Sequence, residues 1–549
     1  METYIIGIDT GGTYTDGVLI ETETGNIVTV AKKPTTRFQL SSGVSEVLKT
    51  LMKQSGLTPE QVTQVAVSST LATNSVVEKR GARVAVLVIG YVKHFKLPVK
   101  AVLYIKGGHN LQGEEEEPLD IDYLVSLIHG LKNEVDSYAV CSAMSIKNPA
   151  HELVTEKAIS MIDPKPVFCS HRVSSQAGME ERAATAALHA RLMPVMTEFM
   201  EGVSSALTEC KLTCPVLTVA GNGALLPAEK AVLQAGLTVA SGPACSAVFG
   251  AQAAALKDCL VVDIGGTTTD ITMIKDGSPT LLNDGCNIGA WKTHVEAIDM
   301  HTGGIGGDSF VHVGKKGDIT VGPIRVIPLA MKTDGPPVET WLGSGDSCQL
   351  LVRGPGLETD ELKQLMGTNG WTTPAIIRKK TGTGSISLEK VIDRLIRQQQ
   401  LQEYGFTPTD ALHVLNRLHI GNREIAVRSA DILGKTVGLS GREFAKKILE
   451  MTRDKIETLI IKSVIHSIQG KSLTGFLDKT RNHPVLGVSF SLKIPLVGIG
   501  GSAQCFLPEI AEKLRTTVTF PQYGEVGNAV GAAIQVQKSQ TITAHSENS

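Results

Sequence analysis

One octapeptide occurs twice in this chain, and that duplication restricts the fold more than any other feature. Asp9-Thr10-Gly11-Gly12-Thr13-Tyr14-Thr15-Asp16 returns as Asp263-Ile264-Gly265-Gly266-Thr267-Thr268-Thr269-Asp270. Both copies read D-x-G-G-T-x-T-D, follow an apolar run and precede another. One copy alone is an ordinary hairpin turn; two in the same context imply two halves built on one plan. Paired glycines let a backbone approach a polyanion with no Cβ in the way, so amide N–H groups can cradle phosphate oxygens. Thr13 and Thr267 put hydroxyls beside the same oxygens. Thr10, Gly11, Gly12, Gly265, Gly266 and Thr268 complete the expected phosphate-binding set. Asp9 and Asp263 would repel phosphate unless a cation intervened, and hydrated Mg²⁺ is the usual mediator. Asp16 and Asp270 have a second use, as acceptors for the turn's own N–H groups.

A third glycine cluster fits the same ligand. Leu496-Val497-Gly498-Ile499-Gly500-Gly501-Ser502 reads as a strand entering a helix at Gln504, so Gly500, Gly501 and Ser502 are expected to line an adenosine pocket. Gly434-Lys435-Thr436 imitates the end of a P-loop, but Ser429 stands where that motif needs its first glycine. No H-E-x-x-H and no paired C-x-x-C occurs. The nine cysteines are odd in number and scattered, against a disulfide framework; Cys210 and Cys214 read as structural thiols rather than zinc ligands. With 53 basic against 55 acidic residues and 4% aromatics, there is no footprint for nucleic acid or an anionic membrane. The N-terminal residues lack the basic and apolar regions of a signal peptide, and no apolar run approaches the ~20 residues of a membrane span. A cytoplasmic protein is expected.

A length of 549 residues implies roughly 2 to 4 domains. Apolar runs at Tyr4–Ile8, Val62–Val67, Ala82–Ile89 and Tyr138–Ala143 alternate with helical patterns at Gly43–Gln54, Tyr123–Leu131 and Glu152–Ile162. That alternation predicts an α/β architecture. Glu180–Leu207 reads as one long amphipathic helix that Pro194 should kink or end. The organisation predicted is a first lobe over 1–178 and a second over 179–537, with a helical insertion at about 380–470 and a polar, frayed tail over 538–549.

The motifs resemble those of the sugar kinase/Hsp70/actin superfamily of ATPases, and within it the hydantoinase A/oxoprolinase family. That family opens with G-x-D-x-G-G-T-x-T-D, as Gly7 to Asp16 does here. It continues with T-x-A-T-N and R-G-A-R, matched by Thr70 to Asn74 and Arg80 to Arg83. Its linking helix carries E-x-E-R and a nearby T, matched in part by Glu181, Arg182 and Thr185, with Met179 in place of the first Glu. S-G-P-A follows at Ser241 to Ala244, and a D-I-H-T-x-G-A-G-G-G-S stretch has its counterpart from Asp299 to Ser309. There the sequence departs: Gly304-Ile305-Gly306-Gly307-Asp308 adds a carboxylate to a glycine loop. The D-P-G-P-A-C-Y-G stretch of the family has no match after Gly322-Pro323.

The resemblance implies two duplicated actin-like, ribonuclease-H-like lobes around a nucleotide cleft. It implies an ATP-dependent hydrolase, or a subunit of one, that opens a cyclic amide such as a hydantoin or 5-oxoproline by phosphorylating its carbonyl oxygen. ATP and Mg²⁺ are the implied cofactors, with Gly306 and Gly307 among the nucleotide-binding residues. Asp9 and Asp263 are the expected Mg²⁺ holders, through water, and Asp299 and His301 the expected proton-handling pair. His294, Glu296, Asp299, His301 and Asp308 form either a site or a run of turn residues beside the glycine loop. A second subunit of hydantoinase B type is the implied partner. Two other readings stay open. One is the ATPase subunit of a ketone carboxylase. The other is an ATP-switched, chaperone-like reactivase, since Asp299-Met300-His301-Thr302-Gly303-Gly304 is similar to a D-T-H-L-G-G stretch of Hsp70 chaperones.

Overall fold

The structure is a computed structural model. It describes every residue except 1, 13, 36–39, 78–80, 91–93, 174–177, 283–286, 289–290, 333–334, 344, 368–369, 383, 470–487 and 548–549. Packing divides the chain into two compact units. The first holds Met1–Gln252, Ser278–Asp299 and Val526–Ser549; the second holds Ala253–Gly277 and Met300–Glu525. The lobes expected at 1–178 and 179–537 follow chain order, whereas packing gives residues 179–252 and the C-terminal helix to the first unit.

Along the first unit come β1 (Tyr4–Thr10), β2 (Tyr14–Glu21), β3 (Ile27–Pro34), α1 (Leu40–Ser55) and β4 (Val62–Ser69). Then follow β5 (Val84–Ile89), β6 (Ala101–Ile105), β7 (Ser137–Ser142) and β8 (Val167–Cys169). The long helix α2 (Met179–Glu209), β9 (Val216–Val219), β10 (Leu225–Pro227) and α3 (Ser241–Ala254) complete it. The main sheet runs β10-β9-β4-β1-β2-β3, and a smaller parallel sheet runs β6-β5-β7-β8.

Ile5, Ile6 and Ile8 of β1 are all inaccessible, because helices cover both faces of the main sheet. Glycines set how closely they approach. A Cβ on Gly7 would lie 2.1 Å from the Ala529 carbonyl oxygen of the C-terminal helix (Gly527–Glu547). A Cβ on Gly17 would lie 2.2 Å from a methyl of Val47 on α1.

Two sequence expectations need correcting. Pro194 does not end α2, which is one helix of 31 residues from Met179 to Glu209. Leu192, Met193, Met196 and Phe199 are buried on either side of it, and that packing outweighs the ~3 kcal/mol a helical proline costs. Residues 538–547, expected as a frayed tail, continue the C-terminal helix, which extends to Glu547. Ser539 and Thr541 donate back to Val536 and Gln537 carbonyls, and Gln540 bonds Gln64 of β4 at 2.7 Å.

The second unit contains β11 (Cys259–Ile264), β12 (Thr269–Lys275), β13 (Met300–Gly303), α4 (Pro408–Val414) and α5 (Gly441–Gln469). It ends with β14 (Leu496–Ile499), α6 (Ala503–Lys513) and β15 (Val518–Thr519). β11 pairs antiparallel with β12 and parallel with β14, while β13 borders β12. The stretch expected as helical from about 380 to 470 also holds a strand, Leu401–Gly405, paired with Gln349–Arg353.

Candidate functional site

The duplication survives in three dimensions as the same hairpin. In the first unit β1 and β2 pair with Asp9 opposite Asp16 and Thr10 opposite Thr15. In the second unit β11 and β12 pair with Asp263 opposite Asp270 and Ile264 opposite Thr269. The Gly11 amide donates to Tyr14 O at 3.0 Å, and the Gly265 amide donates to Thr268 O at 3.0 Å. Those two amides close the turns. Beyond them, the Gly266 and Thr267 amides have no hydrogen-bond partner among the described residues and remain open to a ligand's oxygens. Thr13 lies outside the described residues.

At the first turn, Asp9 is buried, and burial raises its pKa. Ser68 donates to Asp9 Oδ1 at 2.6 Å and Asn528 Nδ2 to Oδ2 at 3.2 Å, which fixes the carboxylate's orientation. α3 begins beside it: a Cβ on Gly242 would stand 3.7 Å from Asp9 Oδ1, and Ser241 Oγ donates to Ser69 O at 3.0 Å. The Thr10 hydroxyl is buried and has no hydrogen-bond partner among the described residues. A buried unsatisfied donor next to a fixed carboxylate suits a ligand that brings oxygens and a cation.

At the second turn, three glycine stretches converge. Gly307 and Asp308 amides donate to Gly265 and Gly266 carbonyls at 3.0 and 2.8 Å. A Cβ on Gly306 would sit 2.6 Å from both of those carbonyl oxygens, and one on Gly307 would sit 2.6 Å from Ser502 Oγ. Gly500 has φ +85°, and its Cβ would fall 2.5 Å from Asp263 Oδ1, so only glycine fits. Gly500 and Gly501, but not the Ser502 side chain, border a cavity of about 200 Å³ shared with Gln504, Phe520 and Glu525. The extra carboxylate of Asp308 lies over Gly266, within 3.4 Å of Arg325 and 3.3 Å of Thr409 Oγ1.

The histidine and carboxylate run is divided between the two packing units. His294 and Glu296 belong to the first unit, where the His294 amide bonds Thr185 Oγ1 at 2.9 Å and Glu296 meets Asn222. Asp299 ends that unit's segment, its amide on Thr280 O at 2.7 Å. His301 and Asp308 belong to the second. His301 shares a face of β13 with Gly303, and α5 covers that face, with Leu459 against Gly303 and His466 edge-on to His301 at 4.7 Å.

Residue-type reasoning passed over several groups. Ser68 and Asn528 orient Asp9 from positions 59 and 519 residues away, a separation no local motif can encode. Thr409, at the start of α4, donates to Gly307 O at 2.8 Å through its hydroxyl. Asp270, for which a turn-acceptor use was one expectation, accepts from the Thr268 hydroxyl at 3.4 Å, and its burial beside Asp263 pushes its carboxyl up to about 7. The final Asp of the repeat was the available signal.

Elsewhere, Glu152, Cys169 and His171 stand together as a possible metal group. The Glu152 carboxylate is already occupied by the Ser142 and His171 amides, the Ser170 hydroxyl and His171 Nδ1, so it serves as a hydrogen-bond hub.

Comparison with known proteins places the chain. The N-terminal region model of hydantoinase/oxoprolinase matches residues 5–162, and the hydantoinase/oxoprolinase model matches residues 182–539. The chain belongs to the hydantoinase/oxoprolinase family. It is 28% identical over 357 residues to caprolactamase subunit alpha of Pseudomonas jessenii, covering 59% of this chain and 50% of that one. It is 26% identical over 363 residues to acetophenone carboxylase gamma subunit of Aromatoleum aromaticum, covering 58% and 49%. The chain thus spans about half the length of these curated relatives. Nucleotide-free acetone carboxylase superposes with TM-score 0.69 at 17% identity, over 97% of this chain and 70% of that one. This family member shares the fold of acetone carboxylase, and it carries the duplicated hairpin that its repeated motif predicted. Among the described residues no helix is long and apolar enough to cross a membrane.

Proposed function

We propose that this hydantoinase/oxoprolinase family member binds Mg-ATP and uses it to activate the carbonyl of a cyclic amide, as one subunit of a heteromeric, cytoplasmic amidohydrolase. The observation that carries this reading is the hairpin repeated in register and hydrogen bonding in both units, with the third glycine cluster packed on the second copy. In this reading the open Gly266 and Thr267 amides, with Thr268 and the first-turn residues Thr10, Gly12 and Thr13, take phosphate oxygens. Gly306 and Gly307 hold the second turn in shape, and Gly500, Gly501 and Ser502 lie on the adenosine side. Asp9 and Asp263 hold Mg²⁺ through water; the ion would supply charge neutralisation of the transferring phosphoryl group. An amide is a poor electrophile. Transfer of the γ-phosphoryl group to its oxygen, with ADP leaving, makes the carbon open to water. Water adds there, and the C–N bond breaks to release the ring nitrogen as an amine and leave an acyl phosphate. A second water hydrolyses that to carboxylate and phosphate. Asp299 and His301 are the proposed proton-handling groups, and a hydantoinase B type subunit would complete the hydrolysis.

Similarity to the acetophenone carboxylase gamma subunit supports a second reading, in which the activated oxygen is a ketone's. One experiment separates the readings. The protein purified with its native partner is assayed for ADP release with hydantoin, 5-oxoproline, caprolactam, and ketones plus bicarbonate. Product from a lactam or hydantoin is expected. Turnover only with ketone and bicarbonate would install the second reading, and ATPase stimulated by a protein without any small-molecule product would favour a reactivase. Mg-ATP affinity that survives Gly266→Val in a folded protein would overturn the nucleotide assignment itself.

A further inference from the structure

One cavity of the second unit lies away from the glycine turns. It measures about 640 Å³ and runs along the outer face of α5 in the second unit. α5 buries Phe444, Ala445, Ile448 and Leu449, so its opposite stripe faces solvent. Arg442, Lys446 and Arg453 recur on that stripe, and Arg417 and Lys447 flank it. From Arg442 to Arg453 the helix rises about 16 Å at 1.5 Å per residue, so the cavity is an elongated groove.

Its charge is unbalanced. Arg417 and Arg453 share one carboxylate, Glu509, at 3.0 and 3.2 Å. Lys447 is paired with Glu450 at 3.3 Å. Glu443 is engaged by the Ser440 amide and hydroxyl at 2.9 and 2.7 Å. Arg442 and Lys446 are exposed and form no ion pair among the described residues. The half-buried Leu415 and Leu439 also line the groove. Cations and leucines in one groove complement a chain that carries both carboxylates and apolar side chains.

We infer that this α5 groove is a docking site for an acidic, amphipathic segment of another protein chain. The occupant's carboxylates meet Arg442 and Lys446 while its apolar residues cover Leu415 and Leu439. The inference does not depend on the nucleotide reading, because no residue of the groove belongs to the glycine turns.

The test uses the full chain and a fluorescein-labelled peptide of four Leu-Glu-Glu repeats, read by anisotropy. The wild-type protein is expected to bind it, more weakly as salt rises. The double variant Arg442→Glu/Lys446→Glu, with unchanged thermal unfolding, is expected to bind about tenfold more weakly. A Ser-Glu-Glu peptide should lose a similar factor, since it keeps the charge and removes the leucines. Saturating Mg-ATP should leave peptide affinity unchanged. Equal affinity of wild type and the double variant, or no binding, overturns the proposal. So does binding of citrate or tripolyphosphate that depends on Arg442 and Lys446 when the peptide does not bind, which would make the groove a small-anion site.

Discussion

At the scale of single residues, two carboxylates in equivalent strand positions sit in different surroundings. Asp9 is buried and held by Ser68 and Asn528, whereas Asp263 lies against Gly500 and opposite a second carboxylate, Asp270. If both hold hydrated Mg²⁺, Asp9→Asn and Asp263→Asn should each cut turnover by about 100-fold or more. Nucleotide affinity should change far less, since the charge is needed most as the phosphoryl group transfers. Steady-state kinetics with isothermal titration measures both, and ordinary turnover in the two variants would remove the metal assignment. Asp270 makes a separate expectation. Its folded-state carboxyl is pushed up to about 7, above the ordinary aspartate value of 3.8, by burial and then by Asp263. The folded protein therefore holds a proton that the unfolded chain releases, so stability declines as pH rises from about 4 toward 7. In EDTA-treated protein, Asp270→Asn should flatten the stability profile across that window. Urea unfolding at pH 5 and 7.5 decides it; an unaltered slope would mean that Asp270 titrates normally.

At the scale of elements, the C-terminal helix does two things at once. It covers β1 at the spacing Gly7 permits, and it delivers Asn528 to Asp9. Gly7→Val would drive two methyls into the Ala529 carbonyl and Ala533, so the helix must move away. A loss of about 2 to 4 kcal/mol is expected, typical of overpacking at a tight contact, together with a weaker hold on Asp9. Thermal unfolding and nucleotide titration of this one variant check both; a variant as stable as wild type would mean that the helix does not need this approach. Helix α2 illustrates the converse. Pro194 breaks a local rule, but buried neighbours on both sides carry the helix through it.

For the whole molecule, the two copies of the hairpin lie in different packing units. A nucleotide bound as proposed would stabilise the folded residues that hold it through mass action. Scanning calorimetry should then show that Mg-ATP raises the unfolding temperature of the whole chain and draws separate transitions into one. Stabilisation confined to a single transition would assign the nucleotide to one unit alone.

The sequence by itself determined what is local. D-x-G-G-T-x-T-D dictates a hairpin wherever it occurs, because its glycines and flanking apolar strands act within about 20 residues, and both copies form it with the same register. The α/β alternation and the family were legible for the same reason, in strand runs, helical spacing and motifs read in order. Tertiary structure decided what depends on residues far apart in the chain. It brought Asn528 to Asp9, Gly306 and Gly500 to the second turn, and Thr409 to Gly307. It also divided the run from His294 to Asp308 between two units, which adjacency in sequence had joined. Burial raised the Asp270 carboxyl and carried α2 past Pro194. Hydrogen bonds and desolvation depend on which atoms meet, and in this chain the meeting partners are often hundreds of residues apart.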